Sequence, residues 1–283
     1  LYNYMSQILI ELIKLANLII TITRAVACGK RIQAVLDTAP TMTDPAPGAA
    51  APLPVGDAAI EFRGVAMRYP GASAPALSGV TLRVGRGQTL GVIGGTGAGK
   101  SSLVNLIPRF YDASEGTVLV GGTDVRDWPL AALRARIGVV PQQAMLFRGT
   151  LRDNLRWGNP GATDDQLWAA LAAAQARDVA LEKGGLDMNI DQAGRNLSGG
   201  QKQRLTIARA LVRNPDVLIL DDSASALDYA TDAALRAAIR ALPGHPTVIV
   251  VSQRAASLQT AYQILALDDG AVRNSLQFFD KSG

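Results

Sequence analysis

Residues 94–101, reading Gly-Gly-Thr-Gly-Ala-Gly-Lys-Ser, constrain this chain more than any other feature. An apolar run at 90–93 precedes them and reads as a buried strand, and 101–107 follows as a helix. A chance match to this spacing in a chain of this length is on the order of 1%. Such a segment turns a strand into a helix through a curled loop. Its glycines let successive backbone N–H groups converge on one point, and the helix N-terminus adds its dipole, so the loop is a cradle for phosphate. The cradle comprises Gly94, Gly95, Thr96, Gly97, Ala98 and Gly99, with Lys100, Ser101 and Ser102 opening the helix. Lys100 is placed to reach the outer phosphates of a polyphosphate, and the Ser101 hydroxyl to hold Mg2+.

A second apolar run, 217–220, ends in Asp221 and Asp222. Beside a phosphate loop, Asp221 is placed to hold Mg2+ through water, as in P-loop nucleotide hydrolases. Runs at 88–93, 217–220 and 247–251 read as buried strands, and alanine-rich stretches at 165–177 and 231–242 as helices between them. That alternation predicts an α/β domain with a largely parallel sheet.

Composition narrows the field. The chain has 283 residues, 48% hydrophobic and 18% charged, with mean hydropathy +0.14, which excludes a disordered or fibrous protein. Twenty-eight Lys and Arg against 24 Asp and Glu give +4, too small an excess to argue for nucleic acid. A single cysteine, Cys28, excludes an internal disulfide, and a single histidine, His245, excludes a His–His metal site. His245 falls in a loop, where it is expected to be exposed and without a role. The chain opens at Leu1 with no signal-peptide pattern, and we read it as the interior of something longer.

Residues 1–37 have a helical pattern, with apolar residues over 8–22 interrupted by Glu11, Lys14 and Asn17. A spanning helix wants about 20 mostly apolar residues. The pattern alone leaves a surface amphipathic helix and a membrane helix both open. Residues 38–57, rich in proline and alanine, read as a linker, and 58–283 as the nucleotide-binding domain.

Leu197, Ser198, Gly199, Gly200 and Gln201, followed by Lys-Gln-Arg, are the residues by which the chain resembles the ATP-binding cassette (ABC) family, whose signature is LSGGQ. The local physics is also readable. Ser198 and Gln201 fit a capping box, and the glycines leave helix N–H groups bare as a second anion site. The resemblance covers about 58–270. It implies a P-loop nucleotide hydrolase sheet with an antiparallel β subdomain and a helical signature subdomain, preceded by a partly transmembrane helix. It also implies ATP and Mg2+ as ligands. Tyr69 resembles the aromatic residue that stacks on adenine. Gln142 resembles the loop glutamine that contacts Mg2+ and the coupling helices of the membrane part. Residues 191–195 stand where exporters carry a coupling loop, and Ser225 and Asp228 resemble the D-loop at the dimer interface. Residues 31–37 resemble the lead-in from the last membrane helix of exporters, which favours the membrane reading of 1–37. Importer ATPases, usually separate soluble chains, would lack that helix.

Two positions depart from the family pattern. Asp222 stands where most members place a Glu general base, and Gln253 where they place the switch histidine. A side chain one methylene shorter withdraws the carboxylate by about 1.5 Å, while a base works within about 3.2 Å of its proton. Glutamine neither titrates nor carries charge. An intact signature with both changes resembles the poorly hydrolysing subunit of a heterodimeric exporter, with a homodimeric exporter as the alternative. The implied partners are a second ABC subunit and the transporter's membrane helices, with no nucleic acid. The implied location is the cell membrane, with the ATP-binding domain in the cytoplasm. ATP-operated clamps of DNA maintenance share the signature but insert long coiled coils. Here only about 100 residues separate loop and signature, without sustained heptads. Residues 271–283 do not continue the family pattern.

Overall fold

The strands Val217–Asp221 and Thr247–Val251 carry apolar side chains on both faces. Leu218, Leu220, Val248 and Val250 join one core cluster, and Val217, Ile219, Ile249 and Val251 another. Side chains alternate along a strand, so this sheet is covered on both sides.

The computed structural model describes residues 2–40, 42–45, 56–223, 225–253 and 258–277. It divides into two units, 1–43 and 44–283. The first is dominated by helix α1, Tyr2–Leu36, whose 35 residues bury nothing. Mean hydropathy reaches 1.7, and by length and composition the helix can cross a membrane. Glu11 and Lys14, the charges within its apolar stretch, pair with each other at 2.8 Å. Most of the expected linker, 46–55, lies outside the described residues.

The second unit opens with β1 (Ala58–Met67), β2 (Leu77–Gly85), β3 (Thr89–Ile93), α2 (Lys100–Leu106), β4 (Glu115–Val120) and β5 (Thr123–Asp124). It continues with α3 (Leu130–Ala135), β6 (Ile137–Val140), β7 (Gly149–Thr150), α4 (Leu151–Arg156), α5 (Asp164–Ala173), α6 (Arg177–Glu182) and β8 (Asn189–Ile190). It closes with α7 (Gly199–Val212), β9 (Val217–Asp221), α8 (Tyr229–Arg240), β10 (Thr247–Val251), β11 (Gln263–Asp268) and β12 (Ala271–Gln277). The main sheet has the order β12-β11-β3-β10-β9-β6, parallel except for the edge strand β12. A smaller antiparallel sheet runs β2-β1-β4-β5.

The apolar runs expected as strands appear as β3, β9 and β10. The helix expected over 165–177 is instead two. Helix α5 ends at Ala173, Gln175 takes a left-handed φ of 55°, and α6 starts at Arg177. The break is closed locally, with the Ala176 N–H donating to the Leu171 carbonyl at 2.8 Å, and the Arg204 guanidinium on α7 donates to the Gln175 carbonyl and pairs with Asp178 at 3.1 Å. Residues 271–277 extend the main sheet as its edge strand, while 278–283 lie outside the described residues.

Candidate functional site

The cradle joins β3 to α2. Gly97 and Gly99 have φ of 84° and 94°, where a side chain is strained. A Cβ on Gly99 would lie 2.5 Å from the Ala76 carbonyl oxygen, and one on Gly94 would collide with the carbonyl of Leu267 on β11. Nothing approaches a Cβ on Gly95. Backbone packing thus demands glycine at 94 and 99 but not at 95. Gly99→Ala should lose on the order of 1–3 kcal/mol of stability. Gly95→Ala should stay within about 0.5 kcal/mol of the parent in the same denaturant titration. Thr96 is exposed at the loop tip and Ala98 is buried beneath it.

Lys100 curls back over the loop, its Nζ donating to the carbonyls of Gly94 at 2.8 Å and Gly95 at 2.6 Å. The Ser101 hydroxyl donates to the Asp221 carboxylate at the end of β9. Strand β10 lies between β3 and β9, so loop and carboxylate project from the same end of neighbouring parallel strands. Burial pushes the Asp221 carboxyl above its ordinary pKa. The Ser101 hydrogen bond opposes that, the negative charge of Asp222 adds to it, and the Lys100 charge opposes it. A Ser hydroxyl and a desolvated carboxylate are the hard oxygen donors that Mg2+ takes, usually together with phosphate oxygens and water. Among the described residues no cluster of three His, Cys, Asp or Glu side chains could hold a metal alone.

Asp222 sits at φ 45°, in the left-handed region that Asp and Asn tolerate better than most residues. Its N–H donates to the Val251 carbonyl at 2.9 Å, and its carboxylate accepts from Gln142 Nε2 at 3.3 Å. Gln253 is exposed two residues beyond β10, and 254–257 after it lie outside the described residues. Tyr69 is half-buried. Its hydroxyl is 3.0 Å from Ser102 Oγ, and its ring meets Tyr111 edge-on at 5.1 Å.

The signature opens α7. Leu197 is buried, and Ser198 caps the helix in a full capping box with Gln201. The first-turn N–H groups of Gly199 and Gly200 have no partner within the helix. A Cβ on Gly199 would meet nothing, whereas one on Gly200 would stand 3.1 Å from the Ala226 carbonyl. Asp228 has a local task as the N-cap of α8, accepting from the Thr231 N–H at 2.9 Å and hydroxyl at 2.7 Å. Those bonds hold its carboxyl below the usual range. Ser225 donates to the Asp222 carbonyl at 2.9 Å, tying the segment back to the carboxylate pair. Residues 192–194 form a short 3-10 turn before the signature.

Sequence reasoning missed an aromatic groove. Phe110, Phe147, Trp157 and Arg209 line a depression of about 330 Å3. Phe147 and Trp157 stack at 4.5 Å, and the Arg209 guanidinium lies 5.7 Å from the Phe147 ring centre. Burial lowers the pKa of Arg209. The available signal was two aromatic residues ten apart, Phe147 and Trp157, the second off the i, i+4 register of the buried Leu151 and Leu155.

A doubly covered parallel sheet, with a glycine cradle after β3 and an acidic pair ending a nearby strand, defines a P-loop nucleotide-binding protein of the α/β class. The family model described as ABC transporter matches residues 77–225. An uncharacterized ABC transporter ATP-binding protein of Mycobacterium tuberculosis is 39% identical over 273 residues, covering 95% of this chain and 47% of that protein. An ATP-dependent lipid A-core flippase of Syntrophus aciditrophicus is 36% identical, covering 92% of this chain and 43% of the flippase. The solved structure of a bacterial Atm1-family ABC exporter with ATP bound superposes with a TM-score of 0.83 at 33% identity, over 91% of this chain and 45% of that one. The chain belongs to the ABC transporter family, in its ATP-binding part of exporter type, and it spans about half the length of the curated relatives it matches.

Proposed function

We propose that this chain binds Mg-ATP in its own phosphate loop, lends its signature helix to ATP held by a partner subunit, and hydrolyses its own ATP slowly while powering export. The observation that carries the reading is the assembly of Lys100, Ser101, Asp221 and Asp222 at one end of three adjacent strands. Lys100 leaves the loop carbonyls for the outer phosphates. Ser101, Asp221 and Gln142 are the residues that would hold Mg2+, which would supply charge neutralisation at those phosphates. Among the described residues Asp222 is the carboxylate beside Asp221 that would orient the attacking water, and Gln253 offers a neutral hydrogen bond where a charged group would speed the reaction. Helix α1 crosses the membrane and the ATP-binding domain lies in the cytoplasm. Membrane helices of the same transporter act on the Gln142 loop and the groove of Phe147 and Trp157. The slow own site favours a heterodimer, and full hydrolysis by the chain alone would instead establish a homodimeric exporter.

The direct test is a titration with an ATP analogue. Lys100→Ala removes charge-assisted hydrogen bonds, so affinity should fall by about 10- to 100-fold. Unchanged affinity overturns the phosphate-loop assignment. Tyr69 has a separate test. If its ring stacks on the base, Tyr69→Ala should weaken ATP by about 1–3 kcal/mol, while Tyr69→Phe keeps the stacking face and stays near the parent. Equal affinity of all three proteins reduces Tyr69 to a packing residue against Tyr111.

A further inference from the structure

Tyr69 is held at two points of different kinds. Its hydroxyl is 3.0 Å from Ser102 Oγ on α2. The hydroxyl oxygen lies on the axis about which the ring turns. This bond therefore anchors the tip of the side chain without setting the plane of the ring, and the torsion itself has only broad energy wells. The plane matters for a base, because stacking needs two roughly parallel faces.

The contact that sets the plane comes from Tyr111. The two rings meet at 87° with their centres 5.1 Å apart, the edge-to-face arrangement that aromatic pairs prefer. Turning the Tyr69 ring about its axis breaks that geometry. An edge-to-face pair also leaves at least one face of Tyr69 uncovered by Tyr111, whichever of the two rings presents its edge.

Tyr111 is exposed, but the backbone that carries it, between α2 and β4, is fixed from several sides. The Phe110 N–H donates to the Asn105 carbonyl at 2.9 Å. Arg134 of α3 donates to the Pro108 and Arg109 carbonyls at 3.1 and 2.8 Å. Arg109 pairs with Asp112 at 2.7 Å, bracketing Tyr111. Beyond it, the Ser114 N–H donates to the Ala66 carbonyl at 2.9 Å, and Ser114 Oγ accepts from the Arg68 N–H at 3.0 Å. Those last bonds tie the loop to the residues that lead into Tyr69.

We propose that Tyr111 is a positioning residue for nucleotide recognition. It fixes the ring plane of Tyr69, so that a purine base meets a preset face and less ordering is left to binding. The inference rests on the reading of Tyr69 as the ring that stacks on adenine.

The experiment sets a non-hydrolysable ATP analogue against inorganic tripolyphosphate, which has the phosphates and lacks the base. Each is titrated with Mg2+ into the full chain in detergent and followed by calorimetry. Tyr111→Leu should weaken the analogue about 2- to 10-fold, the worth of one aromatic pair, and leave tripolyphosphate unchanged. Tyr111→Phe, which keeps the ring and its edge, should match the parent. In a Tyr69→Ala background, Tyr111→Leu should change nothing further. Equal loss of both ligands is damage to the phosphate loop and overturns the proposal. A loss that persists in full without Tyr69 also overturns it, because Tyr111 would then touch the nucleotide itself. Weakening by Tyr69→Ala without weakening by Tyr111→Leu removes the positioning role alone. An analogue affinity that Tyr69→Ala leaves unchanged removes the adenine assignment, and the positioning role with it.

Discussion

Ser198→Arg in this chain should remove most ATP hydrolysis by the assembled pair, although Ser198 lies outside the chain's own phosphate loop. Its folding cost is small. The substitution breaks one capping box, worth about 1 kcal/mol. Its functional cost is large, because a guanidinium at the helix start covers the first-turn N–H groups of Gly199 and Gly200 that would face the partner's γ-phosphate. Loss of one preorganised donor of this kind lowers a rate by about 10²–10³-fold. The measurement is steady-state phosphate release by the reconstituted pair, with unfolding monitored in parallel. Preserved activity with normal folding would remove the signature from the partner's site.

Purified alone, the chain should bind Mg-ATP yet release phosphate slowly. General-base help is worth about 10²–10⁴-fold, and on the proposed reading Asp222 with Gln253 would forgo much of it. Asp222→Glu should recover only part of the rate. The longer side chain reaches further, but it must sit at φ 45°, a conformation that suits Asp better than Glu, and Gln253 is still uncharged. In the pair, Asp222→Asn should cost far less than Ser198→Arg. The reverse ranking would make Asp222 a working catalytic carboxylate and this chain's own site the competent one.

The parts of the site that the sequence revealed are those whose backbone demands are local. A left-handed turn at Gly97 and Gly99 requires glycine within the motif, and the capping box of Ser198 and Gln201 closes within four residues. Apolar pentapeptides such as 247–251 announce a strand buried on both faces, though not its neighbours in the sheet. What stayed hidden depends on residues far apart in the chain. Gln142 reaches Asp222 across 80 positions. The end of α5 turns through a left-handed Gln175 whose carbonyl accepts from Arg204 of another helix, and no glycine or proline marks it. The resemblance assigns Tyr69 to adenine, but not the contacts of its hydroxyl with Ser102 and of its ring with Tyr111, which form only once β1 and α2 are packed. The aromatic groove likewise needs α4 and α7 side by side before Trp157 and Arg209 share a surface.

The two core clusters lie on opposite faces of the strands β9 and β10. The phosphate-loop helix α2 packs into one through Leu103, Val104 and Leu106, and the signature helix α7 into the other through Leu205, Ile207 and Leu211. Local opening follows such contiguous packing units. Tightening one cluster around a nucleotide therefore leaves the other its own conformational entropy. In the proposed pair the signature side would keep freedom that is spent when it meets ATP on a second molecule, which would make closure an ordering event distinct from nucleotide capture.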